Sequence, residues 1–159
     1  MMSNQKNRGK WFEKAIEQSN TIYKYKNMAL VDKIATPVNF NTRTGKAFFS
    51  AKSTVDFIGC DSNGRMIAFD AKEVAQKNLP HGNIADHQLE YLRRAHKLGA
   101  DAFILVLFRF TNECFKINIS DFYLHKHTEK RKSIPYDWIK QNCTKVVSRN
   151  GIMFDYLGT

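Results

Sequence analysis

The chain has 159 residues, a length that fits one domain with a buried core, and its 43% hydrophobic content excludes an intrinsically disordered protein. No apolar run approaches a membrane-spanning helix and the first residues lack the apolar core of a secretory signal, so we expect a soluble, cytoplasmic protein. The net charge of +10 favours nucleic acid as the partner over an acidic membrane surface, because lysine and arginine supply phosphate contacts and no basic amphipathic helix stands out.

The first predicted elements are a helix over residues 8–25 and a strand over residues 30–36. Phe12, Ile16 and Tyr23 recur at helical spacing and form one apolar stripe. The strand ends where a proline removes a backbone donor from the ladder.

Residues 37–52 follow as a polar segment with turn-forming residues at 41–45 between flanking aromatic residues. We interpret this segment as a protruding hairpin or a partly mobile loop. It carries three basic residues, Arg43, Lys46 and Lys52, which are candidates for DNA binding.

Two strands over residues 53–60 and 65–73 come next, joined by a turn of Asp, Ser, Asn and Gly at 61–64. Strand alternation places Val55 and Phe57 on one face of the first strand, and Asp70 and Lys72 on one face of the second strand.

The second half of the chain is predicted to contain a helix at 84–98 whose apolar face includes Leu98, a strand at 102–110 that is buried on both faces and a paired strand at 114–119. Ser120 and Asp121 are expected to cap the start of a helix, and a short helix is predicted at 135–142. Residues 146–156 form a last strand or a tail. The coarse order α-β-β-β-α-β-β-α predicts a single α/β domain over residues 1–159, with a mixed sheet flanked by helices.

The residues with the clearest chemistry are Asp56, Asp70 and Lys72. Mg²⁺ prefers oxygen ligands, and it often completes its shell with waters and substrate phosphate, so the two carboxylates are candidate metal ligands. Such an ion polarises a scissile phosphate and lowers the pKa of a bound water, and Lys72 could position that water or stabilise charge on the phosphate in the transition state. The alternative is a solvated face of an edge hairpin on which Lys72 is a surface partner.

Three further residues are candidates for the same site. Glu13 could add a carboxylate from the first helix, or be an ordinary exposed residue. Gln88 is an unusual amide on an otherwise apolar helix face, where it could reach a metal-bound water or a phosphate, or hydrogen-bond buried backbone. Alternation also places Thr54 beside Asp56.

Other cofactor classes are not expected. The three cysteines are widely spaced with no CxxC pair, and the five histidines show no zinc-ligand spacing. A phosphate-binding loop and a dinucleotide fingerprint are both absent, so we expect no nucleotide cofactor.

Several segments resemble the RecU family of Holliday junction resolvases of low-GC Gram-positive bacteria and their phages. In order, they are RGKWFE at 8–13, STVDFIG at 53–59, FDAKE at 69–73, HQL at 87–89, GADAFILV at 99–106 and GIMFDYL at 151–157.

The resemblance implies a restriction-endonuclease-like core, a homodimer that cuts opposing strands of a four-way junction, and a stalk that enters the junction centre, here at about 37–52. Carried over by position, Thr54, Asp56, Asp70, Lys72 and Gln88 match the family's active-site pattern, Glu13 its helix carboxylate, and Arg8, with Lys10 nearby, its N-terminal basic position.

One departure is Asp70, where the family usually has Glu; we expect the metal to lie slightly deeper and activity to be kept. The short chain predicts a phage-encoded member.

From the resemblance we expect an endodeoxyribonuclease that nicks four-way junctions symmetrically with Mg²⁺, for which Mn²⁺ can substitute. The alternatives are a non-catalytic DNA-binding accessory protein of recombination and a related nuclease acting on flaps or duplexes.

Overall fold

The computed structural model describes residues 5–36, 38–49 and 54–158. The helices are α1 (Gln5–Tyr25), α2 (Asp86–Lys97), α3 (Ile119–Thr128) and α4 (Tyr136–Asn142), with a short 3-10 helix at His81–Asn83. The strands are β1 (Ala29–Lys33), β2 (Val38–Asn41), β3 (Lys46–Phe49), β4 (Phe57–Asp61), β5 (Met66–Val74), β6 (Asn78–Pro80), β7 (Asp101–Phe108), β8 (Glu113–Asn118), β9 (Ser133–Pro135) and β10 (Thr144–Val146).

A six-stranded mixed sheet organises the described residues, in the order β1-β4-β5-β7-β8-β10. Strands β4 and β5 form an antiparallel hairpin, whose turn is fixed by the Asp61 carboxylate accepting from the backbone N–H groups of Asn63 and Arg65. Strands β5 and β7 are parallel, and the chain between them passes through α2. The sheet is therefore the mixed α/β architecture that the sequence predicts.

Apolar side chains cover both faces of this sheet. Phe69 and Phe103 pack on the face that carries α1, whereas Ala68 and Ile104 pack on the face that carries α2 and α3. Consecutive residues of β7 alternate between these two cores, so Ala102–Phe108 is buried throughout, as predicted. Residues 109 and 110, which the prediction included in this strand, follow it and are exposed. Burial on both faces fixes the register of β5, which carries Asp70 and Lys72.

Strands β2 and β3 form a two-stranded antiparallel hairpin that is a sheet of its own. Its turn is closed by Asn41, whose side-chain oxygen accepts from the N–H groups of Arg43 and Thr44, and by Gly45 at a positive φ of 66°. The Phe40 side chain is 71% exposed. This hairpin lies within the segment that we interpreted as a stalk.

Three local predictions were wrong. Helix α2 begins at Asp86, and it buries Leu89, Leu92 and Ala95, while Leu98, placed on the apolar face by the sequence, is exposed. Helix α3 is capped by Asn118, whose side chain accepts from the Ser120 N–H, so the cap precedes the Ser and Asp that the sequence suggested.

The third wrong prediction concerns the strand that carries Asp56, which begins only at Phe57. Val55 therefore packs in the core of the α2 face and Phe57 in that of the α1 face, instead of sharing a face.

None of the helices in the described part of the chain combines the length and the hydropathy needed to span a membrane.

Candidate active site

Asp56 and Asp70 lie side by side on the β4–β5 hairpin. Asp56 immediately precedes β4, and its Oδ2 accepts a hydrogen bond from the backbone N–H of Ala71 at 2.9 Å. Asp70 is in the centre of β5 and is fully buried. A strand register that pairs Phe57 with Phe69 brings the two carboxylates to the same end of the hairpin.

Lys72 joins the two carboxylates. Its ammonium nitrogen lies 2.5 Å from Asp70 Oδ2 and 3.9 Å from Asp56 Oδ2. The Lys72 side chain is 22% exposed, so the shared cation is reachable from solvent while Asp70 is not. The predicted grouping of these three residues is present in the structure, and the solvated-face alternative is wrong for Asp70.

Gln88 approaches Asp70 from the start of α2. Its Nε2 donates to Asp70 Oδ1 at 2.9 Å, while its Oε1 accepts from the backbone N–H of Ala85 at 3.1 Å. One amide thus satisfies a free N–H at the helix N-terminus and orients a buried carboxylate. The sequence suggested either contact with a ligand or a bond to backbone, and the structure has the backbone bond together with a bond to Asp70.

The environment of Asp70 favours its protonated form. Burial raises the pKa of Asp70 to about 7; the neighbouring Lys72 ammonium lowers the pKa, and the Asp56 carboxylate raises it. Because burial makes the ionised form of Asp70 unfavourable, binding of a cation next to this carboxylate would stabilise the ionised form.

Glu13 lies at the edge of this group. Its carboxylate pairs with the Lys33 ammonium of β1 at 2.5 Å, and this contact is the main cause of a raised pKa of Lys33, to which the Asp56 charge also contributes. Glu13 and Lys72 line one cleft of about 370 Å³ between α1 and the end of β5. Glu13 therefore borders the site, with Lys33 as its partner.

The remaining predicted residues are farther out. Thr54 is exposed and lies before β4. Among the described residues, the hydrogen bonds and ion pairs of the site connect Asp56, Asp70, Lys72, Ala71 and Gln88, and they do not include Thr54. Lys10 is exposed on α1, and Arg43 and Lys46 are exposed on the β2–β3 hairpin. Arg8 lies in α1, and Lys52 is outside the described residues.

Sequence reasoning missed three charged residues next to the site, Lys33, Glu73 and Arg109. Glu73 and Arg109 form an ion pair that lines the same cleft as Lys72. Glu73 directly follows Lys72, so its position was visible in the sequence. Its partner is 36 residues away on another strand end, which no local pattern indicates.

The donor set fits one small divalent cation. Asp56 Oδ2 and Asp70 Oδ2 both approach the Lys72 ammonium, so a cation near that position is reachable by an oxygen of each carboxylate. Among the described residues there is no group of three or more His, Cys, Asp or Glu placed to hold a metal. Two carboxylates suit Mg²⁺, which keeps several waters and takes further ligands from phosphate.

Comparisons with known proteins point to one family. The family model described as Recombination protein U (RecU) matches residues 7–159. Two curated relatives, from Staphylococcus aureus strains JH9 and MRSA252, are each named Holliday junction resolvase RecU. Each is 32% identical to this chain over 163 residues, covering 94% of this chain and 78% of the relative.

A solved structure supports the fold. The crystal structure of Archaeoglobus fulgidus Hjc, described as a Holliday junction resolvase from an archaeal hyperthermophile, superposes with a TM-score of 0.51 at 15% identity. The match covers 81% of this chain and 92% of that chain. The predicted restriction-endonuclease-like α/β core is thereby confirmed.

Proposed function

This chain belongs to the RecU family of junction-resolving nucleases, and we propose that it resolves four-way DNA junctions by Mg²⁺-dependent hydrolysis of opposing strands. The observation that carries the proposal is the arrangement of Asp56, Asp70 and Lys72, in which two carboxylates approach one position and an ammonium is already there. This is a donor set for a divalent ion next to a phosphodiester.

The chain's own residues have distinct roles in this proposal. Asp56 and Asp70 would hold the metal, and the N–H of Ala71 and the amide of Gln88 fix the orientation of the two carboxylates. Bound Mg²⁺ supplies Lewis acidity to the scissile phosphate and lowers the pKa of water. As the water oxygen adds to phosphorus and one P–O bond breaks, negative charge develops on the phosphate oxygens. The Lys72 ammonium donates a hydrogen bond to one of these oxygens and stabilises that charge.

Glu13 and Thr54 have weaker roles here. Glu13 lines the cleft beside Lys72 and is paired with Lys33, so we propose that it orders the cleft wall. Thr54 is exposed two residues before Asp56, where it can reach DNA.

We further propose a homodimer, since two sites related by a two-fold axis suit the two-fold character of a four-way junction. The β2–β3 hairpin is proposed as the stalk that enters the junction centre, and its exposed Arg43 and Lys46 are proposed to contact phosphates, together with Arg8, Lys10 and Lys52. The cytoplasmic location and the phage origin stay predictions.

The test is cleavage of a labelled synthetic four-way junction, with a linear duplex and a flap of the same sequences as controls. We expect paired nicks in opposing strands of the junction with Mg²⁺ or Mn²⁺, no cutting in EDTA, and much slower cutting of the controls. Junction binding in EDTA without cutting on addition of either metal would indicate a non-catalytic accessory protein. Equal rates on the three substrates would indicate a nuclease of other specificity.

A further inference from the structure

Arg109 lies in the active-site cleft but is not used by the site described above. It directly follows β7, and its backbone N–H donates to the carbonyl oxygen of Val74 at 2.9 Å, which fixes it beside the end of β5. Arg109 is one of the residues that line the cleft between α1 and the end of β5, together with Lys72 and Glu13. The position is therefore set by the sheet itself, next to the residue that we propose to act on the scissile phosphate.

Glu73 holds this arginine by a hydrogen bond from Arg109 Nε to Glu73 Oε1. The Glu73 side chain is only 5% exposed, and within the described residues its Oε2 has no hydrogen-bond partner. A buried carboxylate is costly without a paired cation. The Arg109 guanidinium supplies that cation, so the ion pair fixes the positions of Glu73 and Arg109 relative to each other.

The Arg109 guanidinium has more hydrogen-bond donors than its bond to Glu73 uses. Arginine carries five N–H donors, and the bond to Glu73 uses only the one on Nε, so the two Nη groups are available to another acceptor. The Arg109 side chain is 42% exposed and the residue lines the cleft, so the side chain is accessible to a ligand that binds there. A planar guanidinium matches the non-bridging oxygens of a phosphate, often with two parallel hydrogen bonds.

A purely structural role explains the pair less well. Strands β5 and β7 already pair in parallel from Ile67 opposite Asp101 to Val74 opposite Phe108, and the Arg109 N–H continues that ladder. Fixing these strand ends does not need an additional ion pair.

We propose that Arg109, oriented by Glu73, binds a backbone phosphate of the DNA that neighbours the scissile phosphate. The ligand class is a phosphodiester anion, and Arg109 fixes the position of the strand relative to Asp70 and Lys72. This inference rests on the proposed function, because it assigns a second phosphate position to the same substrate.

The test compares Arg109→Ala with Arg94→Ala. Arg94 is a matched control because its Nε also bonds a glutamate, Glu90, at 2.8 Å, while its side chain is 77% exposed on α2 and does not line the cleft. At saturating protein we expect Arg109→Ala to slow single-turnover junction cleavage by about tenfold or more, and Arg94→Ala to change it by less than about twofold. Glu73→Gln, which keeps an acceptor but removes the charge, should give an intermediate loss.

A chemical probe separates phosphate binding from a general loss of structure. Neutral methylphosphonate linkages are placed singly at the phosphates flanking the cleavage site. In the parent protein, one of these positions should lose about as much rate as Arg109→Ala does, and the same linkage should cost Arg109→Ala nothing further. Should Arg109→Ala fold poorly by circular dichroism, the same scan on Arg109→Lys serves, with a partial loss expected.

The outcomes distinguish this inference from the proposed function. A parent protein that cuts no DNA with Mg²⁺ or Mn²⁺ would contradict the proposed function, and the inference would fall with it. If the parent cuts junctions but Arg109→Ala cuts at the rate of Arg94→Ala, or if every methylphosphonate costs both proteins equally, the inference is wrong and the proposed function stands.

Discussion

Gln88 donates a hydrogen bond from its amide to Asp70, across 2.9 Å, and so connects the N-terminus of α2 to the buried carboxylate of β5. The bond favours the ionised form of Asp70, whereas burial raises the pKa of Asp70 to about 7. The same amide accepts from the Ala85 N–H at the helix start. Substitutions at position 88 can therefore separate the electrostatic role from the capping role.

We predict that Gln88→Glu reduces junction cleavage near neutral pH. The glutamate keeps an oxygen for the Ala85 N–H, but it replaces the donor to Asp70 by a second carboxylate, so the pKa of Asp70 rises further. Cleavage rates measured from about pH 6 to 9 should fall roughly tenfold at pH 7 and recover partly at higher pH. The control is Gln141→Glu, an exposed position on α4. A pH profile equal to that of the parent would contradict this role of Gln88.

Asp70→Asn should abolish cleavage, retain junction binding and stabilise the metal-free protein at pH 8. The pKa of Asp70 is raised from 3.8 to about 7 in the folded state, so the folded protein binds the proton more tightly than the unfolded chain does. Ionisation therefore destabilises the fold as the pH rises through that range. Removing the charge should raise the free energy of unfolding by about 1–2 kcal/mol at pH 8 in EDTA, and by less at pH 5.

Urea unfolding at the two pH values and gel-shift and cleavage assays check this prediction for Asp70. The comparison variant is Asp137→Asn, since Asp137 is exposed on α4, and it should leave stability and cleavage nearly unchanged. Normal cleavage by Asp70→Asn would exclude this residue as a metal ligand.

Much of the site could be predicted because β5 is a regular strand. Once Ile67 and Phe69 are assigned to a core face, period-two alternation places Asp70 and Lys72 together on the other face, as the structure confirms. The turn at Asp61 was likewise predicted from turn chemistry, and the burial of residues 102–108 was predicted from an unbroken apolar run.

The parts that could not be predicted depend on contacts between distant segments. Lys33 on β1 pairs with Glu13 on α1, and Arg109 pairs with Glu73, which alternation puts on the opposite face from Lys72 without indicating what packs there. Strand alternation does not determine where Thr54 points, because β4 begins at Phe57 and residue 54 lies outside the strand.

Lys72→Met should slow cleavage by about a hundredfold or more and leave junction affinity within a few-fold of the parent value. Methionine keeps most of the aliphatic chain but removes the ammonium that lies 2.5 Å from Asp70 and 3.9 Å from Asp56. The loss should appear in the single-turnover rate at saturating protein. The metal concentration needed for half-maximal rate should also rise near neutral pH, because the pKa of Asp70 rises when the Lys72 ammonium is removed. Lys14→Met, on an exposed position of α1, is the control, and equal losses in both variants would count against a specific role.

Deleting residues 39–51 should impair junction cleavage while leaving the core folded. Strands β2 and β3 pair only with each other among the described strands, so the six-stranded sheet does not depend on them. The expected result is an unchanged far-ultraviolet signal from the helices together with a loss of preference for the junction over duplex. A deletion variant that cuts junctions at the parental rate would show that the hairpin is not a stalk.

The hairpin's charges can be tested separately by Arg43→Ala combined with Lys46→Ala. If both side chains contact phosphates, the slope of log affinity against log salt should fall by up to about 2, because each contact releases close to one counterion. The matched pair is Lys130→Ala with Lys132→Ala, two exposed lysines near β9. An unchanged slope in the hairpin variant would exclude phosphate contacts there.

The buried histidine pair predicts that the fold is sensitive to acid. His81 Nε2 and His125 Nδ1 share a hydrogen bond of 3.1 Å in which one nitrogen donates and the other accepts. Burial is the main cause of a lowered pKa of both histidines, and for His81 the charges of His125, Lys126 and His127 lower the pKa further. As the pH falls below about 6.5, the unfolded chain takes up these protons before the folded protein does, so stability present above that pH is lost.

Urea unfolding at about pH 7.5 and pH 5.5 measures this acid sensitivity. Between these two pH values, the free energy of unfolding of the parent should fall by on the order of 1 kcal/mol more than that of His81→Gln. The His81→Gln variant keeps a polar partner for His125 but removes one titrating ring. His96→Gln removes a histidine outside the pair and should retain the parental pH dependence. If His81→Gln and His96→Gln show the same dependence as the parent, the pair does not set the acid limit of stability.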